Sequence, residues 1–509
     1  MLKNQKLIFL SVLTMMFSLM WVFYVGFQAT DDKSYLEGAL GWVESFPYVG
    51  TNHWELRHPM TLPAAVFIRL FGLNEFAISL VNTVYFTLFV LTNYWFVKRF
   101  VGYGSAIINA LILITLPGFI VLATYMEIGV PEVFYLSISF WFYRAALEVP
   151  GKTLSWVLCG VALGLSFITR ETAASLILFF GLLFLFKPMV ARVRYMYLFG
   201  ASAMVLALDW TYLMVMTGNP FYRFTIDLHH DKIDRFALVS QVVNRKGFLD
   251  SEGNITVNVF IDPILNLFIS QKYTLIFWLF VLAIISFWRR RTTVQIPLTL
   301  ELLIGYVFVS FLFLGANPKL YLVPRYFIIT SWAASIIVAW WLVSIFQQKR
   351  YLFSSLAGLA ILGGNFAALS VENTNPRFIE KALLAYSIAH PGEKIFTDVE
   401  TIYKAKYYFR FAGQPLDLIS SARPPEGATF FYSANRLASC EASTRCRDHV
   451  LDYLPNQNWI ERQIIRPTPR PIGNLLRVVG IEKFLPVDIR KKLLLEGGDV
   501  AVYTTADAD

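Results

Sequence analysis

Apolar residues run along this chain in blocks of about twenty, separated by short polar stretches. The blocks fall at about 7–27, 76–97, 104–122, 131–147, 153–169, 172–187, 195–216, 272–288, 295–315, 326–347 and 351–371. Each approaches the length that carries an α-helix through the roughly 30 Å hydrocarbon layer of a bilayer. The pattern therefore predicts an α-helical polytopic membrane protein with about eleven transmembrane helices. The first block follows Lys3 and Lys6 and lacks a small-residue cleavage site, so it reads as an uncleaved first span. Beyond residue 371 the pattern changes. EKIFTD, PLDLIS, ATFFYS and DVAVYTT are strand-like, with a helical stretch near ETIYKAKYYFRF between the first two. That order predicts a small α/β layer. The expected organisation is a membrane domain over 1–371 and an extracytoplasmic soluble domain over 372–509.

Composition supports the membrane assignment. Only 16% of the 509 residues are charged, against roughly 25% in an ordinary soluble protein, and mean hydropathy is +0.53. The net charge of +9 comes from lysines and arginines in short loops, which is an orientation signal. No nucleic-acid motif accompanies it. Lys98-Arg99, Lys152, Lys187 with Arg192 and Arg194, Arg289-Arg290-Arg291 and Lys349-Arg350 alternate with the spans onto one side, the cytoplasmic side by the positive-inside rule. Of three cysteines, Cys159 lies in an apolar run and reads as a small core residue. Cys440 and Cys446 lie in the polar tail, where an oxidising compartment would permit a disulfide.

With that topology, the informative polar groups collect on the opposite, extracytoplasmic side. Asp31 and Asp32 end the first span. Glu37, Glu44, His53, Glu55, Arg57 and His58 follow them. Glu127 and Glu132 lie on the turn before the fourth span, Arg170 and Glu171 on the next such turn, and Arg325 before the tenth span. Acids and bases gathered at one face suggest a reaction or binding site at the interface, whereas a proton relay would scatter ionisable groups through the membrane. Many interfacial charges only meet headgroups. The Asp31–Asp32 pair stands apart, because adjacent carboxylates repel near low dielectric unless a cation, a basic partner or a substrate proton relieves them.

DDKSYLEGA resembles the D-E-x-x-Y-x-E-x-A start of the first extracytoplasmic loop in GT-C fold membrane glycosyltransferases. These are the protein-mannosyltransferase and aminoarabinose-transferase group, families 39 and 83, and Asp31, Asp32, Tyr35, Glu37 and Ala39 match in register. RHPMTLPAAVFIRLFG resembles that group's H/K-P-P-L segment through His58, Pro59, Leu70, Phe71 and Gly72. EIGVPEVFYLSISFWFYRAAL resembles its R-P-D turn, with Glu132 in the Asp place. GVALGLSFITRETAASLILFF resembles its G-x-x-x-G-L-A-x-L-T-K helix, with Arg170 in place of Lys. LVPRYFIITSWA resembles its R-Y-x-x-P segment, although no proline follows Arg325-Tyr326 at the usual spacing, and Met60 stands where a second proline is usual.

The resemblance implies a sugar transferase of the bacterial inner membrane, with its active site on the periplasmic face. It implies a polyprenyl-phosphate donor and a glycolipid, lipopolysaccharide, other glycan or protein acceptor. Asp31 is then the expected base for the acceptor hydroxyl, with Asp32 as its helper. Arg57, His58 and Arg325 are the expected cations for the lipid phosphate, where Arg grips oxygens in pairs. Tyr35, Glu127 and Glu132 are expected to support the acceptor or a divalent ion, Mg or Mn, with Asp32 and Glu132 as its ligands. Two alternatives stay open on the sequence. A transporter or flippase of lipid-linked glycans would need broken helices in paired positions, and Pro117-Gly118 has no counterpart. A non-catalytic scaffold would not depend on Asp31, Asp32 or Arg57.

Overall fold

The computed structural model describes residues 2–230, 265–290 apart from 266, 296–316, 324–371, 377–436, 455, 458–469 and 471–506 apart from 497. All eleven predicted spans are helical there. In chain order the helices of the membrane unit are α1 (Leu2–Val22), α2 (Asp31–Glu44), α3 (His58–Phe71), α4 (Glu75–Phe100), α5 (Tyr103–Thr115), α6 (Pro117–Ile120), α7 (Gly129–Glu148), α8 (Thr153–Thr169), α9 (Ala174–Phe186), α10 (Arg192–Thr217), α11 (Tyr222–His230), α12 (Ile276–Arg290), α13 (Leu298–Gly315), α14 (Ile328–Gln347) and α15 (Tyr351–Val371). By length and composition six segments can cross a membrane alone, and Tyr103–Thr115 with Pro117–Thr124 makes a seventh, bent by 65°. Pro117 explains that bend, since its ring cannot donate to the helix ladder and clashes with the preceding turn. The shorter apolar helices are Thr153–Thr169, Glu171–Phe186 and Ile276–Arg289. α7 is as long as a span but carries Glu132, Arg144 and Glu148.

The first polar segment differs from a plain loop. It contains α2 and α3, each of 14 residues and too short to span. In α2, Asp31 and Asp32 occupy the first turn, where the positive end of the helix dipole favours carboxylates. Asp32, Tyr35, Leu36, Ala39, Leu40 and Trp42 are buried, at helical spacing, so one face packs inward. Between the two helices Glu55 ties the loop: its carboxylate accepts from the Tyr48 hydroxyl at 2.7 Å and the Thr51 amide at 2.8 Å.

α8 and α10 pack at backbone distance. A Cβ on Gly160 would lie 2.1 Å from the Leu198 carbonyl oxygen, and one on Gly164 would lie 2.7 Å from Val205 Cβ. Small residues four apart are what let membrane helices approach this tightly. The contact fixes the end of α8, which carries Arg170, against α10, which carries Asp209. We expect Gly160→Val to force the two helices apart and to lower the detergent-solubilised protein's melting temperature by several degrees, read by a thermal-shift assay.

The chain divides into a unit holding Met1–Gly26, Asp31–Gly72 and Phe76–Leu369, and a unit holding Ser370–Asp509 with Phe27–Thr30 and Leu73–Glu75. The second unit contains α16 (Phe378–Ala389), β1 (Ile395–Phe396), α17 (Val399–Phe411), β2 (Ile419–Ser420), β3 (Thr429–Tyr432), β4 (Ile460–Ile465), α18 (Pro471–Val479), α19 (Val487–Leu494) and β5 (Val500–Thr504). Its sheet has the order β2-β1-β3-β5-β4. β1 pairs in parallel with β2 and β3, and β5 pairs antiparallel with β3 and β4. Leu383, Tyr386, Ile395, Phe409, Phe431, Val500 and Val502 form its core. The four strands and the helix expected from the sequence are present. β4, α16, α18 and α19 were not expected. Cys440 and Cys446 lie outside the described residues.

In this unit Glu393 accepts from the Thr429 hydroxyl and from Arg462 Nη1, the latter at 2.8 Å. Partial burial opposes its charge, but Thr429 and Arg462 outweigh that and hold its carboxyl below the usual 4.5. A depressed folded pKa means the charged form favours folding. This contribution is complete above about pH 4.5 and is lost as pH falls below it. Thermal unfolding at pH 6, 5, 4 and 3 should show that loss, and Glu393→Gln should flatten the dependence.

Candidate functional site

Polar residues from seven segments meet at one end of the membrane unit, the end that charge counting placed together. Arg325 Nη1 lies 3.1 Å from Asp31 Oδ2, and these side chains are 39% and 38% exposed. This ion pair joins the start of α2 to the turn before α14. It is open to a ligand, whereas Asp32 beside it is only 1% exposed. Arg325 Nε is buried and makes no hydrogen bond among the described residues.

A second pair lies deeper. Arg170 Nη1 is 3.4 Å from Glu132 Oε2, and both side chains are buried. The Thr172 hydroxyl donates to the other Glu132 oxygen. The Arg170 guanidinium sits 4.2 Å from the centre of the Tyr326 ring, with Arg325 5.4 Å from the same ring. Contacts thus run from Glu132 through Arg170 and Tyr326 to Arg325 and Asp31. A buried charge deprived of its partner is strongly unfavourable. Glu132→Ala should therefore destabilise the fold by about 3–5 kcal/mol, a loss Glu132→Gln reduces, measured by thermal unfolding in detergent.

The expected phosphate cations occupy different settings. Arg57, just before α3, donates from Nη1 to the Thr169 carbonyl at 3.0 Å and lies 3.5 Å from Glu171. Arg223 of α11 grips the other Glu171 oxygen at 2.6 Å and the Ile168 carbonyl at 2.6 Å. Arg57 and Arg223 therefore clamp the turn that presents Arg170. His58 Nδ1 lies 2.9 Å from Asp209 Oδ1 of α10, with Trp42 and Tyr212 edge-on to its ring. A carboxylate on Nδ1 fixes the ring and leaves Nε2 as the nitrogen for a ligand.

Glu127 is buried and bound locally, accepting from the Gly129 amide at 2.6 Å, while its carbonyl accepts from Asn82. Tyr35 is buried near Arg57, Glu127 and Asp31, and burial pushes its phenol well above the usual range, so it is a hydrogen-bond donor and not a base. For the expected divalent ion the donor set does not fit this arrangement. Both Glu132 oxygens have protein partners, and among the described residues no three His, Cys, Asp or Glu side chains group as ligands.

Sequence reasoning missed Asp209 and Arg223, and met Tyr326 only as part of the R-Y resemblance, without a role. Asp209 had a signal, as an acid inside the apolar run 195–216, where an ionisable residue usually has a partner. Arg223 follows the same run with no pattern around it.

The many apolar helices, the polar cluster at one end and the small mixed-sheet unit are the GT-C architecture expected from the sequence. Residues 58–213 match the family model for dolichyl-phosphate-mannose-protein mannosyltransferases. The structure is similar to that of ArnT from Cupriavidus metallidurans bound to undecaprenyl phosphate, with a TM-score of 0.57 at 13% identity over 99% of both chains. It is also similar to the oligosaccharyltransferase AglB from Archaeoglobus fulgidus in complex with an inhibitory peptide and a dolichol-phosphate. That match has a TM-score of 0.50 at 11% identity, covering 78% of this chain and 63% of the other. No curated protein matches the sequence. The chain shares the GT-C fold with these two structures, and the family model covers residues 58–213 of it.

Proposed function

We propose that the protein transfers a sugar from a polyprenyl-phosphate donor to an extracytoplasmic acceptor, with inversion at the anomeric carbon and Asp31 as the base. The observation that carries this reading is the accessible Asp31–Arg325 pair. Before the donor arrives, each group neutralises the other. A lipid phosphate competes for Arg325 in bidentate fashion, and its arrival releases the Asp31 carboxylate. The acceptor oxygen then attacks the anomeric carbon from the face opposite the phosphate, and its proton passes to Asp31. The bond from that carbon to the phosphate oxygen breaks, and the electron pair stays on polyprenyl phosphate, facing Arg325. Asp31 returns its proton to water.

His58 supplies a second donor through Nε2, oriented by Asp209. Arg57 serves by holding the Arg170 turn, Tyr35 donates a hydrogen bond toward the acceptor side, and Asp32 anchors the start of α2. Undecaprenyl phosphate and dolichol-phosphate in the two solved structures with this fold suit a lipid-linked donor. The acceptor class stays a glycolipid, a lipopolysaccharide or other glycan, or a protein, in a bacterial inner membrane with the site on the periplasmic face.

Activity should survive EDTA. Loss on chelation, restored by Mg or Mn, would reinstate Asp32 and Glu132 as ligands. Asp209→Asn should reduce transfer about tenfold or more while leaving the melting temperature near wild type, since the amide can still contact Nδ1 but no longer stabilises the protonated ring or fixes its tautomer. The assay that tests the proposal follows radiolabelled sugar from polyprenyl-phosphate donors, extracted from native membranes, into acceptor in the presence of the purified protein.

A further inference from the structure

α18 and α19 form a helical hairpin in the second unit, closed by a 3-10 turn at Ile481–Phe484. Its inner side is well made. Gly473 lets α18 reach α19 so closely that a Cβ there would lie 2.4 Å from the Leu493 carbonyl oxygen, and Leu493 and Leu494 are buried. Its outer side has no such explanation. Leu475, Val478 and Val479 stand at i, i+3 and i+4 on α18, exposed by 61%, 85% and 60%. Phe484, exposed by 87%, continues the surface at the tip, with Ile481, Val487 and Ile489 beside it. Arg477, Lys483, Lys491 and Lys492 are exposed on the same hairpin. A run of large exposed apolar side chains marks an interaction surface. Apolar side chains with cations interspersed match the boundary of an anionic bilayer, where the former enter the acyl region and the latter meet phosphates.

We propose that residues 471–494 are a membrane-surface anchor, docking the second unit onto anionic lipid through Leu475, Val478, Val479 and Phe484. A lipid surface fits better than a second protein because a protein partner would have to supply acids opposite each cation, and the chain already works within a bilayer. The proposal stands independently of the transferase reading.

The test uses the full chain in nanodiscs, with the photo-crosslinker p-benzoylphenylalanine placed at Phe484 or, as a control, at the exposed Glu426 of the same unit. Both positions are exposed, so neither substitution touches the packed core of the unit. After illumination, mass spectrometry reads the adducts. The expected result is phospholipid adducts at position 484 several times more abundant than at 426, rising when phosphatidylglycerol replaces phosphatidylcholine. Replacing Arg477, Lys483, Lys491 and Lys492 with Gln should remove that rise. Adducts at 484 to peptides of this chain or of a second copy would overturn the proposal. Lipid adducts no more frequent at 484 than at 426 would overturn it equally.

Discussion

Asp31→Asn removes sugar transfer by about 10²- to 10⁴-fold while the protein remains folded, the range that general-base assistance contributes. The asparagine keeps the shape of the carboxylate but cannot take the acceptor's proton. Folding should be spared because the side chain is 38% exposed and belongs to a partly solvated ion pair, whose stability contribution is small. The effect should fall on kcat, with donor KM unchanged or lower, since Arg325 no longer has a competing carboxylate. Initial rates across donor concentration, with wild type and variant at equal amounts of folded protein, check both parts. A variant with wild-type kcat would leave Asp31 as a mere partner for Arg325.

Arg325→Ala lowers kcat by about 10²- to 10³-fold, the loss typical when one donor to a developing negative charge is removed. Arg325→Lys restores only part of it, because a single ammonium cannot grip two phosphate oxygens in a plane and cannot lie beside Tyr326 as a guanidinium does. The ordering Arg, then Lys, then Ala distinguishes a phosphate ligand from a group that only restrains Asp31. In the latter case Arg325→Ala would free the base and raise the rate at saturating donor. Arg325→Ala should also weaken binding of free polyprenyl phosphate as a product inhibitor, measured by competition.

The spans and the one-ended placement of the charges were legible because both rest on long, repeated signals: twenty-residue apolar runs and alternating basic loops. α2 and α3 were not, because 14 residues with mixed polarity give too few turns to separate an interfacial helix from a loop. β4 was missed for a related reason. Its residues IERQII are exposed along most of their length, so the apolar alternation that marks a half-buried strand is absent. The candidate acids and cations were legible by type and by resemblance, but their partners were not. Nothing in the chain links Asp31 to Arg325 across 294 positions, or His58 to Asp209 across 151. Arg57 shows the consequence. As a cation beside His58 it suits a phosphate, yet the fold turns it to the Thr169 carbonyl and Glu171. The expected ion suffers similarly, since Thr172 and Arg170 both satisfy Glu132 and neither residue's position foretold it.

The transporter alternative depends on paired broken helices. Among the described residues the bend at Pro117 is the single break of that kind. The most direct measurement separates covalent transfer from translocation. Purified protein in liposomes receives polyprenyl-phosphate sugar donors and acceptor extracted from native membranes, and the release of free polyprenyl phosphate is followed by mass spectrometry. Release should require acceptor, equal the sugar incorporated, give a product of inverted anomeric configuration and disappear in Asp31→Asn. Movement of intact donor across the bilayer with no polyprenyl phosphate released, and with Asp31→Asn unaffected, would contradict covalent transfer.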